Sequence, residues 1–560
     1  MEFIIAILLT LSLVCIHLQM VTNNNSDMQD DLQGQWNISD PDIFNIILRV
    51  NKELLERTGN KVLQYGDILV DTSRNAMICP EGGDTCLWPT SKDGNVYVPY
   101  ALNETYNENQ RRKIKKALDE IGALTCVKFY YKRRNDQNYV NVQPGPACYS
   151  SVGFGRNGRI LSLKNPECIH FGVISHEFLH AIGFQHEQSR SDRDLYIQII
   201  WENISDDLKY NFNKLDTNNL GTKYDYGSVM QYGRTAFSKN GRPTMVPIPD
   251  SDIELGQMRG LSTVDVYKVN KLYKCKVCGN SFVADTGRLT SPNYPGLYPN
   301  NADCKWLIRA KRHLKILLEF SDFQIQEFAG CIGDRLTIYD GSSVEDNVLE
   351  GPACGAENPA VISKRNELFI TFITSRTYQS TGFAATYRFI KCGHMKKDRR
   401  GIIESKSHPF KEVHCFWAIL IKRRYKIIME FEGTGKSQKG NCTENSLIIY
   451  DAARTPPITA EIFCNNASLS LPFVVSTGRA LVLEFQHVPS IFNRGFKIAY
   501  DTFVSKCSKQ TNLYRSMCPH CCFSNEHFEN YLQMFFISFL HVDTSVFCYQ
   551  VMISKYKVFY

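Results

Sequence analysis

Apolar and polar positions follow different periods in different parts of the chain. From Phe3 to Val14 the chain is apolar with no strong charge, a stretch too short to span a bilayer comfortably. It predicts a secretory signal peptide over residues 1–20, although the usual positive start is missing. Between Pro41 and Glu56, Ile43, Ile46, Ile47, Val50 and Leu54 recur at helical spacing and predict one amphipathic helix. Beyond Cys278 the pattern changes to alternation. Leu336-Thr337-Ile338-Tyr339 and Leu447-Ile448-Ile449-Tyr450 read as strands, with closing strands at Gly382-Phe383 and Gly495-Phe496. An apolar patch from Tyr531 to Ile553 is interrupted by His541 and Asp543, which argues against a membrane span.

The cysteines divide the chain further. There are 20, and Cys15 lies in the signal-like stretch. Two runs of four follow each other: Cys278, Cys304, Cys331, Cys354, then Cys392, Cys415, Cys442, Cys464. Their spacings are 26, 27, 23 and 23, 27, 22, an internal repeat. With short strands between turn residues, each repeat reads as a disulfide-stapled β-sandwich. So many cysteines, together with Asn-x-Ser/Thr sequons at Asn24, Asn37, Asn103, Asn203, Asn441 and Asn466, favour export. The resulting map is a signal peptide at 1–20, a polar pro-segment at 21–74, a histidine-bearing domain at 75–276, repeats at 278–390 and 392–503, and an unassigned tail at 504–560 that retains Cys507, Cys518, Cys521, Cys522 and Cys548.

Composition narrows the picture only a little. Hydrophobic residues make up 43% of 560, enough for several cores. A net charge of +7 is mild at this length and does not suggest nucleic acid. The run Lys396-Lys397-Asp398-Arg399-Arg400 reads as a solvated loop.

The chemistry concentrates in His176-Glu177-Phe178-Leu179-His180-Ala181-Ile182-Gly183-Phe184-Gln185-His186. Two histidines four apart share a helix face and reach one metal ion. Gly183 permits the turn that brings in His186. Three nitrogens with an open fourth position are the catalytic arrangement of zinc, Zn2+, rather than the structural one. Glu177 follows the first ligand and is placed to act as general base.

His176 to Gly183 with His186 resembles the metzincin signature, and the continuation Glu187-Gln188-Ser189-Arg190-Ser191-Asp192 resembles the astacin family of zinc endopeptidases. Ser228-Val229-Met230-Gln231-Tyr232 is similar to that family's Met-turn. The resemblance implies that Met230 forms a hydrophobic base and that Tyr232 is both a further metal ligand and a catalytic group for the oxyanion. Gln231 stands where the family usually has His, at a position that is not a ligand. Tyr65-Gly66-Asp67 is similar to the inhibitory motif, which makes Asp67 the switch. Cleavage after Arg74 would start the mature chain at Asn75, and Glu187 would meet that new terminus. Asp265 matches a carboxylate supporting the site.

The resemblance implies bridges Cys126–Cys275 and Cys148–Cys168, with Cys79 and Cys86 as an extra pair. The repeats look like CUB domains, bridged Cys278–Cys304, Cys331–Cys354, Cys392–Cys415 and Cys442–Cys464. Many such domains bind calcium, Ca2+. Glu327 and Asp334 fit in the first, but Ser375 or Arg376 stands where a later Asp is expected. In the second, Asn445 replaces an Asp. The fold class is therefore an α+β metzincin-type protease domain followed by two all-β CUB sandwiches. The Cys79 and Cys86 pair, with two CUB domains and no EGF-like module, resembles hatching enzymes. The expectation is a secreted, extracellular protease, with secretory granules as its route of release. It would act on egg-envelope glycoproteins after activation by a trypsin-like protease. The alternatives are an astacin-type processor of matrix or precursor proteins, and a non-catalytic binding protein using its CUB domains.

Overall fold

Asp42 starts the first described helix, α1 (Ile43–Thr58), by accepting a 2.8 Å bond from the Asn45 backbone N–H. Gly59, at φ 55°, ends it. The helix thus begins and ends two residues later than its apolar periodicity predicts, because capping sets helix ends and periodicity does not. Further along come α2 (Glu108–Leu124), α3 (Phe171–Ala181) and α4 (Thr263–Leu272). The computed structural model describes residues 42–70, 86–155, 158–405, 413–432, 445–452, 458–464, 473–487 and 496–504. The signal-like stretch, Arg74, Asn75, Cys79, Cys442 and the tail from 505 onward lie outside the described residues.

The chain divides into two units. The first is built mainly from residues 42–70 and 140–260. The strands Leu63–Gln64 and Ile68–Leu69 form a small hairpin, and Ile68 pairs in parallel with Ser150. The strand Cys148–Ser150 continues antiparallel to Arg159–Leu163, which lies parallel to Val140–Gln143. Helix α3 is buried over nearly its whole length. Its sequence FGVISHEFLHA is apolar all round except for Ser175, which bonds back to the Phe171 carbonyl, and the residues that carry chemistry.

The second unit contains most of α2, all of α4 and most of the parallel pair Val96–Leu102 and Val127–Tyr131. The disulfide Cys126–Cys275 ties that region together. Two sandwiches follow, each a five-stranded sheet over a four-stranded one, with the same strand order. The internal repeat is therefore a repeat of folds. Disulfides join Cys278 to Cys304, Cys331 to Cys354 and Cys392 to Cys415. Cys464 ends a strand of the second sandwich, and its expected partner Cys442 is outside the described residues.

Within this unit the strand Val413–Leu420 is buried on both faces. Trp417 and Ile419 enter the core of the second sandwich. Phe416, Ala418 and Leu420 cluster with core residues of the first sandwich. Arg309, 5% exposed, pairs at 2.5 Å with Glu120 of α2 and at 2.6 Å with Glu367. Among the described residues no helix is long and apolar enough to cross a membrane.

Candidate active site

Helix α3 places His176 and His180 one turn apart on a single face, both fully buried. The helix ends just before Gly183, whose φ of 102° is the conformation a β-carbon resists. The turn brings His186 back against the other two. The three Nε2 atoms form a nearly equilateral triangle with edges of 3.2, 3.2 and 3.3 Å.

Two of the rings have their tautomer fixed by a carbonyl. His176 Nδ1 lies 2.9 Å from the Val229 oxygen, and His180 Nδ1 lies 2.7 Å from the Phe184 oxygen. A carbonyl only accepts, so Nδ1 carries the proton and Nε2 presents its lone pair to the centre. Lone pairs converging in a buried site call for a cation. Tetrahedral zinc, with Zn–N of about 2.0–2.1 Å, separates its nitrogens by about 3.3–3.4 Å. The triangle fits that separation. Burial also pushes His180 below the usual imidazole range and His186 down to about 3, which keeps the rings neutral as ligands must be.

Asp67 faces the same point. Its carboxylate lies 2.9 Å from His176 Nε2 and 3.1 Å from His186 Nε2. Burial would raise its pKa, but the three imidazoles outweigh that and hold it well below the ordinary carboxylate range. Asp67 with the three histidines is the one converging metal-ligand group among the described residues. Glu177 is fully buried, and neither carboxylate oxygen has a hydrogen-bond partner. Burial, and then the neighbouring Asp67 charge, drive its pKa well above the usual value.

Tyr232 is engaged by the N-terminal segment, and its ring lies 4.8 Å from that of His186. Its hydroxyl donates to the Tyr65 carbonyl at 2.5 Å, and its ring stacks on Phe44 at 3.6 Å. Met230 is buried, and its carbonyl accepts from the Glu187 N–H at 3.0 Å, joining the Met-turn to the segment after His186. Gln231 accepts from the Tyr224 hydroxyl and donates to the Tyr232 carbonyl, so it works as a structural brace.

Glu187 is buried against Arg190 at 3.1 Å and accepts from the Asp225 N–H at 2.9 Å. Asp265 forms a capping box with Ser262 at the start of α4. The Cys148–Cys168 disulfide is formed. Cys86 is also disulfide-bonded, while its expected partner Cys79 lies outside the described residues.

The two expected calcium residues each have protein partners. Asp334 accepts from the Tyr298 hydroxyl and the Ser375 N–H, both at 2.6 Å. Glu327 pairs with Arg423 of the second sandwich at 3.2 Å.

Two residues at the site escaped the sequence reading. Phe44 and Asn51 both lie on the buried face of α1. The available signal was Asn51 itself, a polar residue on the stripe Ile43, Ile47, Asn51 at steps of four.

A buried histidine triad on a helix and turn, with an adjacent carboxylate and the buried Glu177 next to the first ligand, defines a metal-dependent peptidase. The peptidase family model "Astacin" matches residues 86–274, and the CUB domain model matches 278–387 and 392–500. The chain is 37% identical to Embryonic protein UVS.2 of Xenopus laevis over 83% of its length and 88% of that relative. It is 41% identical to the Astacin-like metalloendopeptidase of Coturnix japonica, over 66% of this chain and 88% of that one. Among solved structures, High choriolytic enzyme 1, described as a hatching enzyme zinc-protease from Oryzias latipes, is 42% identical. It covers 36% of this chain and all of that one, with a TM-score of 0.34. The chain belongs to the astacin family of metalloendopeptidases and carries two CUB domains after its peptidase domain.

Proposed function

We propose that the chain is a secreted, latent zinc endopeptidase that digests extracellular glycoproteins of the egg envelope once residues up to Arg74 are removed. The observation that carries latency is Asp67, whose carboxylate closes the open side of the His176, His180, His186 triad. A trypsin-like cleavage after Arg74 would release that carboxylate and begin the mature chain at Asn75. Support for the egg-envelope role comes from relatives named choriolytic enzymes, one of them 43% identical over 84% of its own length. The signal-like start and the cysteine count support export.

Zinc held by His176, His180 and His186 would supply Lewis acidity and make water at the site easier to deprotonate. Glu177, buried and without a hydrogen-bond partner, takes the proton from the attacking water and passes it to the departing amine nitrogen. The Tyr232 hydroxyl, freed from the Tyr65 carbonyl, donates to the oxygen of the attacked carbonyl. Removal of residues up to Arg74 would take away the strand Ile68–Leu69, which pairs with Ser150, and leave the strand Cys148–Ser150 as an edge that an extended polypeptide can join.

The test is digestion of isolated egg envelope and of casein, before and after trypsin-like activation. Glu177→Ala should lower cleavage by roughly 10²–10⁴-fold, and a zinc chelator should abolish it. Cleavage of casein but not of envelope would remove the hatching role and leave the peptidase. Cleavage of neither, after confirmed loss of residues up to Arg74, would remove both.

A further inference from the structure

Among the contacts of the N-terminal segment with the peptidase centre, three copy different parts of a substrate. Asp67 faces the metal ligands. Asn51 offers its carboxamide to the N–H and C=O of Cys148, as a peptide group would. Phe44 supplies a side chain. Its ring is 1% exposed and stacks on Tyr232 at 3.6 Å with an interplanar angle of 16°. It also meets His186 edge-on at 5.3 Å and Phe237 at 6.0 Å. Phe212 stands behind, 6.0 Å from Tyr232 and 5.9 Å from Phe237.

The rings around Phe44 belong to the part of the chain that remains after cleavage at Arg74, whereas Phe44 itself leaves. Its departure opens a hollow walled by Tyr232, Phe237 and His186, with Phe212 packed behind the first two. One wall is a metal ligand, so the hollow lies within one residue's reach of the bond to be cut. Its walls are aromatic, and stacked or edge-to-face rings recognise another ring better than a small or charged side chain.

We propose that this hollow is the side-chain specificity pocket of the mature enzyme, and that it takes an aromatic or large apolar residue adjoining the scissile bond. The proposal rests on the peptidase reading above and adds the substrate class. Phe44 is the pocket's resident ligand in the latent chain. The loops that carry Phe212 and Phe237, rather than the histidine motif, then set which peptide bonds are cut.

The experiment uses the full chain activated by trypsin, a peptide library derived from a denatured proteome, and mass-spectrometric mapping of the cut sites. Phe, Tyr, Trp and Leu should be enriched roughly tenfold or more over Ala at the position just before or just after the cut. For a matched pair of peptides differing by Phe or Ala at that position, Phe237→Ala should reduce the ratio of their kcat/KM values. Phe237→Leu, which keeps an apolar wall, should retain most of it. Efficient cutting with a flat profile, or with small or acidic residues preferred there, overturns the pocket and leaves the peptidase standing. Absence of any cutting overturns both.

Discussion

Asn51 and Cys148 are bonded twice: the Cys148 N–H donates to Asn51 Oδ1 at 2.8 Å, and Asn51 Nδ2 donates to the Cys148 carbonyl at 2.6 Å. The same amide donates to the Gly66 carbonyl at 2.9 Å, so one buried side chain ties the hairpin of the N-terminal segment to the strand beside the histidines. Asn51→Ala leaves these buried groups unpaired, at a cost of about 1–3 kcal/mol. The uncleaved chain should melt at a lower temperature than wild type, while the two mature enzymes melt alike. Scanning calorimetry before and after cleavage checks this, and a loss that persists after cleavage would refute it.

The Asp67 carboxylate faces all three histidines, at 2.9, 3.6 and 3.1 Å, and under the proposed latency it closes the centre without any covalent change. Asp67→Ala should therefore give the uncleaved chain measurable activity on a short peptide, with cleavage at Arg74 blocked by Arg74→Ala. A chain as silent as the Arg74→Ala control would place latency elsewhere.

Metal loss should be slower from the latent chain. With Asp67 closing the triad, an incoming chelator has no open coordination position. Zinc release into a chromogenic chelator, followed for uncleaved and mature protein, should be faster from the mature form. Equal rates would show that Asp67 does not shield the metal.

Arg309 is buried between two carboxylates, Glu120 and Glu367. Arg309→Met strips both of their partner and should destabilise the chain by about 3–5 kcal/mol. Denaturant unfolding measures it, and a change below about 1 kcal/mol would mean the cluster is solvated in solution.

Glu484 supplies a pH dependence. The hydrogen bond from His414 at 2.6 Å, helped by the Tyr450 hydroxyl, holds its pKa below the usual glutamate value against the effect of burial. A depressed folded pKa means that its stabilising contribution is present above the unfolded value. That contribution is lost as pH falls through the lower folded value. Between about pH 6 and 3 the melting temperature of Glu484→Gln should fall less than that of wild type. Parallel curves would contradict the assignment.

The sequence made the metal centre legible because its chemistry is local. Two ligands one helical turn apart, a glycine and a third ligand fit within the short run from His176 to His186. Asp67 was visible only through a family likeness, since nothing in residues 63–69 alone marks a carboxylate that meets a histidine 109 positions away. Phe44 was hidden for a related reason: periodicity marks a side chain as buried but does not say against what. The Arg309–Glu120 pair, 189 residues apart, had no signal at either end. The two sandwiches were legible from cysteine spacing and alternation, but their mutual packing was not.

That packing changes what the repeat means. A strand that gives Trp417 and Ile419 to its own sandwich and Phe416, Ala418 and Leu420 to the one before it has no face left for water. Successive positions there are all constrained, where an ordinary edge or half-exposed strand tolerates change at every second one. A fragment beginning at Cys392 would present those three side chains to solvent as a ready-made aggregation surface. The second sandwich is thus a module in its genealogy but not in its folding.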